Sequence, residues 1–422
     1  MTESAKRQVP SAKGGVSKLG TERVSSEHAT GPRLVTETAP RRRVESVDVL
    51  RGIVMVIMAL DHTRDFFGTF GVNPQNLTIT TVPLFFTRFI THICAPTFFL
   101  LTGLGAGLAR ASRSTPELAR YLITRGLLLI VLEVTLLRGL AYQFNFDYQV
   151  TMLLVIWALG WAMIFLGLIV FLPVPVIATI GLALIAGHNL LDTVSWSHPL
   201  WLILHRPGFV VQGPPTVFVA YPLIPWVGVT AVGYALAKVY RWEPDRRRQF
   251  LLRAGLLSII GFLALRTINI YGDPFRWAPQ ERGVVFSFLS FLNTTKYPPS
   301  LLFLLMTLGP ALLILYWTDR GVPRWLRPVI EYGRVPFFYF FAHFALIHVL
   351  AVLVTFAIHG TAYWMFQSPT LGQYPFTPPP EWGFSLPVVY AVWLSVVAAL
   401  YWPCKKVAEL KATGRHPWLS YF

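Results

Sequence analysis

Residues 41–67 read RRRVESVDVLRGIVMVIMALDHTRDFF, and this stretch decides the fold. Three arginines lead into an apolar run broken only by Asp48 and Arg51, which ends on the charged cluster Asp61-His62-Thr63-Arg64-Asp65. The run is long enough for a membrane helix, which needs about 20 apolar residues. On such a helix Arg51 and His62 stand eleven residues apart, close to three turns, so both project from one face at a separation of roughly 16 Å. Ionisable groups at membrane depth each cost roughly 2.5 kcal/mol or more, so they are kept where they have partners or a use.

Composition agrees with a polytopic membrane protein. The 422 residues are 54% hydrophobic and only 13% charged, with a mean hydropathy of +0.53, far from the balance of a soluble domain. The net charge of +16 is scattered through short breaks between apolar runs, which points to lipid and not to nucleic acid. Cys94 and Cys404 fall within or at the ends of different apolar runs, so no disulfide framework or CxxC metal pair is expected. The first apolar run lacks a small-residue cleavage site and is expected to remain as a span.

Residues 1–44 are rich in Ser, Thr, Gly and charge, and are expected to form a disordered basic cytoplasmic tail. The expected membrane domain covers 45–403, and 404–422 a cytoplasmic C-terminal tail. Apolar runs occur at 47–68, 85–109, 118–138, 151–172, 174–190, 217–239, 250–269, 300–317, 335–358 and 385–403. The fold class is therefore an all-α, polytopic transmembrane helical bundle of about ten spans. Assigning every Lys and Arg except Arg51 to the nearest tail or break gives 27 in the tails and alternate breaks against 8 in the other breaks. That asymmetry places both termini in the cytoplasm. The two long outer breaks, 191–216 and 270–299, carry Trp196, Trp201, Trp277, His198 and His205, and loops of that length tend to be functional or lid-like.

Orientation gives depth to the polar residues. Asp61, His62, Arg64, Arg88, His92, Glu133 and Lys296 all fall toward the outer leaflet, with His343 nearer the centre of its span and His348 past the middle. The plain alternative is pairing that holds helices together, Glu133 with an arginine and each histidine with a backbone carbonyl. At the cytoplasmic end Arg110 and Arg113 form an RxxR pair on one side of a helix, a geometry suited to phosphate, although arginines at that end also follow from topology alone. No HExxH, GxSxG or carboxylate-rich metal constellation occurs, so no metal is expected. A histidine beside a carboxylate, with arginines toward the cytoplasm, suits general-base transfer of an activated acyl group from a phosphorylated donor.

The blocks 41–67, FFTRFITHICAPTFFLLTG, RASR, TRGLLLIVLEV, VIWALGWAMI, GHNLLD, IPWVGVTAVGYA, NIYGDP, TKYPPSLLFLLMTLGP and GRVPFFYFFAHFALIH resemble bacterial proteins carrying the heparan-alpha-glucosaminide N-acetyltransferase catalytic-like domain, within the integral-membrane acyltransferase superfamily. The resemblance implies transfer of an acetyl group from cytosolic acetyl-CoA to an amine or hydroxyl of a sugar or glycan on the far side, in a bacterial cytoplasmic membrane. On matching positions, Arg51, Arg110 and Arg113 would hold the CoA phosphates, and His62, assisted by Asp61, would be the base or acyl acceptor. His92 competes for that role. Arg64, Arg88, Glu133, Lys296 and Tyr297 would order the acceptor pocket. Membrane lipids and copies of the same chain are the other partners considered. The rival class is a transporter or lipid-handling protein using the same groups as a proton relay or head-group site.

Overall fold

The computed structural model describes residues 44–370 and 373–415. The expected tail lies almost wholly outside the described residues. In chain order the first elements are α1 (Glu45–Phe67), α2 (Val82–Thr91), α3 (Cys94–Ala109), α4 (Thr115–Leu132, continued by a π-helix over Glu133–Tyr142), β1 (Val150–Leu153), α5 (Val155–Ile169) and α6 (Val174–Gly187). Then come α7 (Pro199–Leu204), β2 (Gly208–Val211), β3 (Thr216–Val219), α8 (Leu223–Leu236) and α9 (Pro244–Ile268). The chain continues with α10 (Val284–Leu292), α11 (Leu301–Thr318), α12 (Arg327–Arg334), α13 (Pro336–His359) and α14 (Leu386–Ala412).

Every expected apolar run contains a helix. Seven described helical segments are long and apolar enough to cross a membrane. The segment 82–112 is one of them, but its helix is interrupted at His92–Ile93. Pro96 explains the break, because it has no N–H to offer the His92 carbonyl and so sits in the first turn of a new helix. At the start of α4, Ser114 and Glu117 form a reciprocal capping box. α9 and α13 stop at left-handed residues, Asn269 and Gly360. α14 runs past 403 to Ala412, beyond the expected end of the last span.

The all-α expectation needs one correction. The molecule is mostly helical, but β1, β2 and β3 form a small sheet in the order β1-β3-β2, with β1 parallel and β2 antiparallel to β3. Two runs read as whole spans therefore begin as strands. Extended backbone in these places finds its partners sideways, as buried N–H and C=O groups must.

Close helix packing comes from small residues. A Cβ at Gly103 on α3 would stand 1.9 Å from the Thr230 carbonyl oxygen of α8, and one at Gly233 on α8 would stand 2.1 Å from that of Leu100. With glycine at both places the two backbones meet directly, gaining dispersion contacts that lipid cannot outcompete. On the other side, α9 turns Leu256, Leu257, Ile260 and Leu263 outward, as a helix facing acyl chains does.

Candidate functional site

The C-terminal half of α1 opens onto a cavity of ≈460 Å³. Asp61, His62, Arg64 and Asp65 line it from α1, and Arg88, Thr91 and Cys94 line it from the α2–α3 segment. Lys296 and Tyr297, from the loop before α11, face them together with Tyr142 and with Phe340 and Phe344 of α13. Asp61, His62, Arg64, Arg88 and Lys296, expected at a shared depth, and Tyr297, expected in the acceptor pocket, thus form a shared wall.

The geometry around His62 fixes its chemistry. His62 Nδ1 lies 2.6 Å from His343 Nε2, and His343 Nδ1 lies 2.7 Å from the Tyr339 carbonyl oxygen. A carbonyl only accepts, so His343 donates its Nδ1–H to Tyr339 and its Nε2 is left as an acceptor. His62 must then donate through Nδ1–H, which leaves the lone pair of its Nε2 unused by this chain of bonds. Phe344 stacks on the imidazole at 3.9 Å between ring centroids and restrains the ring. The result is an imidazole held in one tautomer and one orientation.

The charges are arranged unevenly. Asp61 is paired to Arg64 at 3.0 Å and to Arg88, and Arg64 also reaches Asp65 at 2.5 Å. Asp61, expected to assist His62, lines the same cavity and serves as counter-ion to two guanidiniums. Lys296 is buried beside the Tyr297 ring, 5.2 Å from its centroid. Among the described residues no carboxylate stands within ion-pair distance of its ammonium. Asp273 fastens the loop that carries it, accepting from the Thr295 N–H at 2.8 Å, Thr295 Oγ1 at 3.0 Å and Ser300 Oγ at 2.6 Å.

Other expected site residues are elsewhere. Both ring nitrogens of His92 are buried without a hydrogen-bond partner, and the ring packs against Phe303 instead of lining the cavity. Glu133 opens the π-helix and is buried at the N-terminal end of α5, outside the cavity lining. Its carboxylate lies near the backbone N–H groups of Leu154, Ile156 and Trp157 and near the side chain of Tyr142, which does line the cavity. Arg51 donates to Asp48 and to the Gly333 carbonyl, both at 3.0 Å. Arg110 donates to the Tyr234 hydroxyl at 2.8 Å, and the Arg113 guanidinium covers the Tyr121 ring at 4.5 Å. These three arginines are outside the cavity lining and half-buried.

The sequence reading gave no site role to His343, Asp65 or Asp273. His343 was visible only as a polar residue in an apolar span, since its partner lies 281 positions away. The expectation that histidines bind backbone carbonyls holds for several of them. His188 contacts the Ile185 carbonyl, and His348 those of Ala141 and Met365.

A second cavity, ≈510 Å³, adjoins the first. It is built from the two long breaks of the sequence, and Pro207 and Tyr297 line both cavities. In it Asp192 accepts from His205 Nε2 at 3.1 Å and from Asn189 Nδ2 at 2.8 Å. Burial raises the Asp192 carboxyl, but these hydrogen bonds outweigh burial and hold it below the usual carboxylate value.

Residues 43–272 match the family described as heparan-alpha-glucosaminide N-acetyltransferase, catalytic. The match covers more than half of the chain and includes α1 with Asp61, His62 and Arg64, as well as Arg88. Comparison with curated proteins gives no match.

Proposed function

Because the chain belongs to the heparan-alpha-glucosaminide N-acetyltransferase catalytic family, we propose that it is a membrane enzyme moving an acetyl group from cytosolic acetyl-CoA to an amine or hydroxyl of a sugar on the outer side. The observation that carries this reading is the free lone pair of His62 Nε2, oriented by His343 and the Tyr339 carbonyl beside the unpaired Lys296.

In this reading His62 Nε2 accepts the proton of the acceptor N–H or O–H as that atom bonds to the thioester carbonyl carbon. The C–S bond breaks, and His62 returns the proton to the departing thiolate, so the imidazole ends neutral as it began. Lys296 and Arg88 face the carbonyl oxygen while charge develops there, a task for preorganised donors in a site poor in water. The residues fit an electron-rich visitor, since the cavity holds one buried cation with no carboxylate partner.

The donor's phosphates are assigned to Arg51, Arg110 and Arg113. Support comes from the excess of Lys and Arg at that end of the spans and from the spacing along α1, where eleven residues put Arg51 roughly 16 Å from His62. An extended pantetheine arm covers such a distance. Arg64 and Tyr297 line the acceptor's approach. His92 and Glu133 are given no chemical step, the first as packing and the second as a helix-end acid.

The test is acetyl transfer from labelled acetyl-CoA to an amino sugar by purified variants with unchanged thermal midpoints. General-base catalysis contributes about 10²–10⁴-fold, so His62→Ala should lose activity on that scale, whereas His92→Ala should lose only a few-fold. A well-folded His62→Ala protein with full transfer would sink the proposal.

A further inference from the structure

The segment after α4 stays helical but changes the kind of helix. From Glu133 to Tyr142 it is a π-helix, and the Gln143 N–H bonds back five residues to the Arg138 carbonyl at 3.1 Å. A helix closed by i→i+5 bonds takes about 4.4 residues per turn, so the nine steps from Glu133 to Tyr142 make about two turns and bring both side chains to one face. At the roughly 3.6 residues per turn of an α-helix, the same nine steps make about two and a half turns and set the two side chains on opposite sides. π-helices are rare, are usually a single turn, and occur frequently at functional sites.

This turn geometry is held from several sides. Arg138, itself buried, donates to the carbonyls of Asn145 at 2.9 Å and Val150 at 3.1 Å, and His348 of α13 contacts the Ala141 carbonyl at 3.2 Å. Tyr142 is fixed at the end of it. Tyr142 lines the first cavity, and its ring meets Phe344, the residue that stacks on His62, edge-on at 4.6 Å between centroids. Its side chain lies near the Glu133 carboxyl and within electrostatic reach of Tyr221 and Tyr374, which line the same cavity. The Tyr142 hydroxyl is buried and closes no well-formed hydrogen bond among the described residues, and the same holds for both Glu133 oxygens. A buried hydroxyl in that state is costly to the empty protein, and a hydrogen-bonding ligand in the cavity offsets the cost.

We propose that Tyr142 is an acceptor-binding residue of the first cavity and that Glu133, acting through it, is a positioning residue. The Tyr142 O–H donates toward Glu133, whose carboxyl keeps an accepting oxygen in either protonation state. The lone pairs of the Tyr142 oxygen then accept an N–H or O–H of the molecule that His62 deprotonates. The acceptor is thus held at two points, with Phe344 against both rings, and no covalent bond is made or broken at Tyr142. The identity of the visitor rests on the acetyltransferase reading. The pairing of Tyr142 with Glu133 does not.

Tyr142→Phe removes one hydroxyl and keeps the ring against Phe344. One neutral hydrogen bond accounts for about three- to tenfold, so kcat/KM for glucosamine should fall by that factor while KM for acetyl-CoA stays within twofold. Glu133→Leu takes away the oxygen the hydroxyl donates to and should lower the same parameter similarly, whereas Glu133→Gln keeps a carbonyl oxygen and should recover most of it. In the Tyr142→Phe background Glu133→Leu should add less than twofold, because its effect runs through the hydroxyl. A purely structural Glu133 would lower the thermal midpoint and kcat alike with or without that hydroxyl. Two results overturn the assignment: a Tyr142→Phe enzyme with kcat/KM for glucosamine within twofold of the parent, or a Glu133→Leu loss undiminished in the Tyr142→Phe background. Affinity for glucosamine, measured calorimetrically on the His62→Ala protein, asks the same question without turnover. Adding Tyr142→Phe should weaken it three- to tenfold, and an unchanged affinity, or none to change, also overturns the assignment. Failure of the acetyltransferase reading shows separately, as undiminished transfer in His62→Ala.

Discussion

His343 gives the sharpest test of the site, because it touches neither donor nor acceptor in the proposed reaction and acts only by holding His62. In the resting protein the bond from His62 Nδ1–H to His343 Nε2 joins two neutral rings at 2.6 Å, a class worth about 0.5–1.5 kcal/mol net. When His62 takes up the acceptor's proton it becomes an imidazolium, and the same bond becomes charge-assisted, worth about 1.5–3 kcal/mol. The transition state therefore gains more from His343 than the ground state does, and the difference appears in kcat.

Replacing His343 by alanine removes that gain and lets the His62 ring turn. Losing that difference, about 1–1.5 kcal/mol between the two classes of bond, corresponds to a fall in kcat of roughly 5–13-fold. Binding of the donor should be nearly unchanged, so KM for acetyl-CoA should stay within a few-fold. The assay is steady-state acetyl transfer with both substrates varied, on protein checked for its thermal midpoint. Because His343 acts through His62, the losses must not multiply. The double variant His62→Ala, His343→Ala should be no slower than His62→Ala alone within about threefold. A His343→Ala enzyme with kcat within twofold of the parent, or a double variant slowed by the full product of the two effects, refutes the relay.

The geometry sets three further outcomes. Asp61→Asn leaves Arg64 and Arg88 with little buried counter-charge, and breaking a buried ion pair from one side costs about 3–5 kcal/mol, which should appear as a large fall in thermal midpoint even without substrate. Asp273→Ala removes the acceptor for Thr295 and Ser300, each unsatisfied group costing about 1–3 kcal/mol; kcat should fall with the midpoint as Lys296 loses its placement, and Asp273→Asn should recover part of both. Gly103→Ala forces a Cβ to within 1.9 Å of the Thr230 carbonyl oxygen, whereas Gly105→Ala meets nothing within 4 Å. Overpacking costs about 1–3 kcal/mol, so thermal unfolding should show the first destabilised and the second neutral.

The helices were legible in the sequence for a local reason. A membrane requires about 20 apolar residues of any span, and hydropathy reads that length without reference to the rest of the chain. The sheet was not legible for the same reason inverted. Thr216–Val219 and Val150–Leu153 are four-residue strands that run into equally apolar helices, and a short apolar run has no periodicity to set it apart from the helix it joins. Within the site, Asp61 and Arg64 were readable as an i, i+3 pair. Arg88 and Lys296, expected at one depth, line the same cavity. Depth says nothing of direction around a helix, however, and His92 and Glu133, expected at the same level, are not among the residues that line the cavity. The His62–His343 bond required knowing that α1 and α13 lie side by side, information carried by packing and not by any spacing.

The distribution of charge in the first cavity argues for chemistry over mere helix clamping. A clamp is best served by neutral pairs, since each uncompensated charge in a medium of low polarity is a loss. Asp61 and Asp65 answer Arg64 and Arg88, and those four groups balance one another. Lys296 then stands in excess on a loop that Asp273 fastens by three hydrogen bonds, facing the same space as the free edge of His62. A surplus cation held this firmly is costly in the empty protein and favourable only when something electron-rich arrives. An imidazole that can take a proton, opposite an ammonium that can meet a developing negative charge, is the arrangement that attack on a carbonyl requires.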